Sequence, residues 1–128
     1  QEQTRRALKG LPLELSATQL VGSDTEVEGP VIGGNLCMLA SLAGTEWAMR
    51  SDGCILIIED VGEPPYKLDR LISQLRLSGA LDGVAAIGLG QFTNCTVPQD
   101  SGWQLQDLLL ELLHPLGMIL HIIRNIYI

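Results

Sequence analysis

Aromatic side chains are scarce in this chain: one Phe, two Tyr and two Trp make up 4% of its 128 residues. Any core must therefore be filled by Leu, Ile, Val and Ala. Basic charge is equally thin. Eight Lys and Arg stand against fifteen Asp and Glu, a net charge of −7. That argues against a nucleic-acid partner, whose phosphate backbone calls for a basic surface. The three cysteines, Cys37, Cys54 and Cys95, form no C-x-x-C pair and have no His-rich neighbourhood, which argues against a disulfide framework or a thiolate metal site. We read them as reduced core thiols of a cytoplasmic protein. No apolar run is long enough for a membrane span, since the stretch from Leu116 to Ile128 is broken by His121, Arg124 and Asn125. No apolar run follows the charges of Gln1 to Arg6, so no signal peptide is expected. The chain opens on Gln1 and not on Met, and we read it as a piece excised or processed from a longer polypeptide.

What is present is 46% hydrophobic and 18% charged, the balance of one compact domain over residues 1–128 and not of a disordered chain. The organising stretch runs from Gly53 to Phe92. Cys54-Ile55-Leu56-Ile57-Ile58 is short, continuous and β-branched, as a strand buried on both faces must be. The apolar run stops at Glu59 and Asp60. Leu68, Leu71, Ile72 and Leu75 then share one helical stripe. Gly79 stands where that helix should end, and residues 83–89 begin a second buried strand. In open α/β sheets functional groups gather at the carboxyl ends of strands, and Glu59 occupies such an end.

The flanks extend the pattern. Residues 2–9 suit a helix end, 13–17 alternate as a half-buried strand, and a weaker alternation continues through Leu20-Val21. Val31-Ile32-Gly33-Gly34 leads to Asn35, an expected N-cap for a helix with Leu36, Leu39, Ala40 and Ala43 inward and Gly44 at its end. The glycine pair reads as a tight turn in preference to an anion cradle. Residues 103–113 form a further helix with Leu105, Leu108, Leu109 and Leu112 inward, widened by Leu110 and Leu113. Met118 to Ile123 reads as a last strand. Strand–helix–strand units in series predict an α/β fold with a largely parallel sheet.

Three blocks carry a resemblance: GPVIGGNLCMLASLAGT (29–45), ILIIEDVGEPPYKLDRLISQLRLSGALDG (55–83) and IGLGQF (87–92). In this order they resemble the C-terminal half of the LD-carboxypeptidases, serine peptidases of murein recycling related to the peptidases of microcin C immunity. The resemblance implies a small mixed β/α domain of the swivelling type. It implies residues 1–12 as the end of an interdomain connection, and a tail, 116–128, that departs from the family. It also implies a Ser-Glu-His triad in which Glu59 is the acid, with the serine in an N-terminal half and the histidine, like the glutamate, in the C-terminal half. The implied partners are that half and a murein peptide.

A triad acid must hold a histidine in the right tautomer, and a carboxylate at the mouth of a rigid strand suits that role. Taken by residue type alone, Glu59 and Asp60 could equally charge the start of the next helix. Asp60 and Glu63 are read as helix-start or loop carboxylates. The other two triad members are not recognised here. There is no G-x-S-x-G elbow, Gly22-Ser23-Asp24 reads as a turn, and no Gly-His pair follows Glu59. His114 reads as a helix-end residue and His121 as a strand residue. Cys37 falls in a first helical turn, where a thiol pKa can be lowered, yet burial is the commoner fate of a free cysteine. No cofactor and no metal are called for, since the carboxylates lack the loop pattern of an oxygen-ligand site. The expected function is therefore part of a serine-type LD-carboxypeptidase, inactive alone. The alternatives are a non-catalytic interaction or homodimerisation module built on the helix 103–113 and the Ile-rich tail, or part of a microcin-type amide-cleaving peptidase.

Overall fold

Among the described residues, five strands and three α-helices follow in the order β1 (Ala17–Val21), β2 (Val31–Asn35), α1 (Leu36–Leu42), β3 (Ile55–Val61), α2 (Pro65–Leu77), β4 (Ala86–Thr93), α3 (Leu105–Leu113) and β5 (Ile119–Ile123). This is a computed structural model, and it describes Lys9, residues 27–114, and the backbone of β1 and β5. The strand order across the sheet is β1-β5-β4-β3-β2. β2, β3, β4 and β5 run parallel, and β1 is antiparallel to β5. Each strand–helix–strand unit therefore steps one place in the same direction. Right-handed crossovers then put all three helices on one face. The domain is a small mixed α/β fold of the swivelling type, with the largely parallel sheet expected from the sequence.

The core lies between that face and the helices. Leu56 and Ile58 of β3 and Ile87 and Leu89 of β4 meet Leu36 and Ala40 of α1, Leu68, Ile72 and Leu75 of α2, and Leu109 and Leu113 of α3. Each fully buried Leu or Ile contributes roughly 1.5–3 kcal/mol. Ile57, buried but outside this cluster, points to the other face by strand alternation.

Local chemistry sets the ends of the helices. Pro65 opens α2 at a position where no N–H is needed. Gly79 closes it at φ 77°, with Ala80 N donating to Leu75 O and Gly79 N to Arg76 O, both at 3.1 Å. α1 ends at Leu42 with Ala43 as its cap, a residue before the expected Gly44. α3 begins at Leu105, not Trp103, because Gln104 and Asp107 cap it reciprocally. Within α3 the deeply buried positions are Leu109 and Leu113. Leu108 lies outside the core cluster, so the inward stripe is rotated from the expected one.

Two strands depart from expectation. β3 does not stop at its carboxylates but continues through Glu59 and Asp60 to Val61. β4 starts at Ala86 and runs on to Thr93. Gly33 and Gly34 are not a turn. They belong to β2, with φ of 147° and 151°, and a Cβ on Gly33 would run into the Ile57 carbonyl of the adjacent strand. The expected strand 13–17 reaches the described residues only at Ala17. Of the expected helix end at 2–9 only Lys9, an exposed turn residue, is described, and Ser23 lies outside the described residues.

Candidate functional site at the carboxyl rim of the sheet

β2, β3 and β4 end together, and their last residues bring Asn35, Glu59 and Asp60 to one rim. Alternation along β3 separates the two carboxylates. Asp60 shares its parity with Leu56 and Ile58 and turns under the helices, where it is 2% exposed. Glu59 shares its parity with Ile57, is half-buried, and stands on the face that no described helix covers.

Asp60 is not a charge at the start of the next helix, as its position after the apolar run suggested. Its carboxylate accepts from Asn35 Nδ2 at 2.9 Å, Cys37 N at 3.0 Å and Val61 N at 2.8 Å. A buried carboxylate is tolerated only with such a set of donors. The Asn35 side chain also accepts from Met38 N at 3.1 Å, as an N-cap should. The first-turn N–H groups of Cys37 and Met38 are thus taken, which removes the anion-cradle reading of Gly33-Gly34-Asn35. The burial parity of Asp60 was present in the sequence, two residues beyond Ile58, and it is the signal that the reading of residue types passed over.

Glu63 lies in the loop before α2 and pairs with Lys67 at 2.7 Å. That carboxylate raises the Lys67 ammonium above its ordinary value. Glu59 makes no hydrogen bond or ion pair among the described residues. It is flanked by Gly90: a Cβ built there would sit 3.3 Å from Glu59 Cβ and 3.3 Å from Ile58 O. Between the pairs Ile58↔Leu89 and Asp60↔Phe92, β4 carries one residue more than β3, a bulge at Gly90-Gln91. Gly90 also borders a shallow apolar depression of ≈ 260 Å³ lined by Leu89, Phe92, Leu105, Gln106 and Leu109.

Among the described residues, no remaining candidate is hydrogen-bonded to Glu59. His114 is exposed at the end of α3. His121 is placed by its backbone in β5 opposite Gly88, and its side chain lies outside the described residues. Cys37 is half-buried, while Cys54 and Cys95 are buried, and all three are free. Burial pushes the Cys95 thiol up.

Among the described residues the helices cover one face of the α/β sheet, and its carboxyl rim presents Glu59 beside the buried Asp60. The family is settled by comparison. Residues 28–127 match the model of the LD-carboxypeptidase C-terminal domain, and the chain belongs to that family. It is 46% identical over 91 residues to the murein tetrapeptide carboxypeptidase of Pseudomonas aeruginosa, covering 70% of this chain and 30% of that protein. The crystal structure of muramoyltetrapeptide carboxypeptidase from Oxalobacter formigenes superimposes with a TM-score of 0.70 at 32% identity, over 93% of this chain and 42% of that one. The microcin C7 self-immunity protein of Escherichia coli is 45% identical over 67 residues, which is 52% of this chain and 20% of that protein. The chain therefore spans less than half the length of these relatives.

Proposed function

We propose that this domain contributes the orienting acid, Glu59, to a serine-type LD-carboxypeptidase whose nucleophile lies on an N-terminal half. The supporting observation is the split fate of adjacent carboxylates: Asp60 is consumed by three donors, while Glu59 stands at the rim with none among the described residues. A rigid, unpaired carboxylate at a strand end suits an acid that accepts an imidazole N–H and fixes its tautomer. The histidine would then abstract the serine proton for attack on the bond before a terminal D-amino acid of a murein tetrapeptide. Met38, Val61 and Tyr66 are 62%, 58% and 61% exposed and stand at the first turn of α1, the end of β3 and the first turn of α2. They offer the N-terminal half exposed apolar side chains along the carboxyl rim. The reduced cysteines fit a cytoplasmic setting.

The test joins this chain to the segments of a murein tetrapeptide carboxypeptidase that carry the serine and the histidine. The assembly is expected to release the terminal D-amino acid from a murein tetrapeptide, and neither part alone should do so. Turnover by the isolated 128-residue chain would contradict this reading. The likeness to the microcin immunity protein supports a second reading, amide cleavage of a microcin-type substrate. Turnover of that substrate by the same assembly, with none of the tetrapeptide, would favour it.

A further inference from the structure

We propose that Asp60 is a positioning residue for Glu59, holding the end of β3 so that the neighbouring carboxylate leaves the rim in one direction. This rests on the reading of Glu59 as the orienting acid. A cap for α1 does not by itself require Asp60, because Asn35 already serves Met38 N as the N-cap. The three donors to Asp60 come from three places: the end of the edge strand β2, the first turn of α1, and Val61 of β3 itself. They tie together the pieces of backbone that surround Glu59.

The tie is needed because the ordinary ladder fails at this point. On the β2 side Glu59 lies opposite Asn35. On the β4 side the register jumps from Ile58↔Leu89 to Asp60↔Phe92, so Glu59 faces the bulge and has no paired residue there. Three residues further on, Gly62 at φ 73° offers little resistance to rotation. Strand alternation couples the two carboxylates: while Asp60 is locked inward, Glu59 must point outward. Rotation of this strand end would move both, and the buried Asp60 resists it because its charge cannot leave its donors cheaply.

The test uses the assembled enzyme of the preceding section with a murein tetrapeptide as substrate. Asp60→Asn keeps the shape but offers an amide to donors that need an acceptor. It is expected to lower kcat roughly 10- to 100-fold with little change in KM, the scale of a misplaced reacting group. In a Glu59→Gln background the same substitution should cost nothing further, because the group it positions is already gone. Asn35→Ser keeps an N-cap oxygen and removes the amide donor to Asp60, so a smaller loss of the same kind is expected, and this variant decides the matter if Asp60→Asn does not fold. An unchanged kcat in a folded variant, a change confined to KM, or losses that multiply with that of Glu59→Gln overturn the positioning role. No loss from Glu59→Gln itself overturns the reading of Glu59 and this inference with it. A loss there, with none from Asp60→Asn or Asn35→Ser, overturns this inference alone.

Discussion

At Asp60 a single side chain carries the polar cost of the rim. Its replacement by Ala leaves the Asn35 amide and the N–H groups of Cys37 and Val61 without their acceptor. We expect a stability loss of about 2–4 kcal/mol in urea unfolding, and a loss below about 1 kcal/mol would mean that water replaces the carboxylate. Cys95 gives a pH signature. Burial raises its thiol pKa in the folded chain, so the native state keeps its proton where the unfolded chain has lost it. Its stabilising effect is complete below the ordinary thiol value of about 8.5 and is lost as pH rises from there through the raised native value. The melting temperature of the wild type should therefore fall more between neutral and strongly alkaline pH than that of Cys95→Ala, and equal falls would remove Cys95 as a contributor. The position of Glu59 near the end of an apolar strand was legible at this scale. Asp60 was not, because a carboxylate beside a helix start has a ready explanation in the helix dipole, and only the period-two parity with Ile58 distinguishes a buried acid from an exposed one.

The elements are held to length by short-range devices of unequal visibility. Gly79 terminates α2 in the left-handed region, and an added Cβ would meet Asp82 Oδ2 at 3.1 Å. Gly79→Ala should cost about 1–2 kcal/mol, the penalty of an L-residue in that conformation, and an unchanged melting temperature would show that the helix end relaxes without it. This stop could be read in advance, as could the inner stripes of α1 and α2, since periodic apolar residues and glycine leave strong marks. The start of α3 could not. Trp103 and Gln104 continue the helical pattern, and only the reciprocal bonds of Gln104 and Asp107 fix the boundary at Leu105. The end of β3 was hidden for a related reason: two carboxylates resemble a stop signal, yet the ladder continues through them because one is solvated and the other bonded.

For the molecule as a whole, the order of strands and helices specified a largely parallel sheet, and three sequence blocks pointed to the family to which the chain belongs. The complete constellation of a serine peptidase was not legible in this stretch, which corresponds to 30% of one relative and 42% of another. If Glu59 orients a histidine as proposed, it needs only rigidity and a free oxygen, and both can be supplied from a folding unit separate from the serine. The kcat of Glu59→Gln in the assembled enzyme, measured beside Glu63→Gln, tests this most directly. A fall of about 10²–10⁴-fold for Glu59→Gln is predicted, the range expected when a triad loses its acid. Glu63, occupied by Lys67, should leave kcat within about twofold when changed to Gln, as surface ion pairs contribute little. Equal kcat values for wild type and Glu59→Gln would contradict the account.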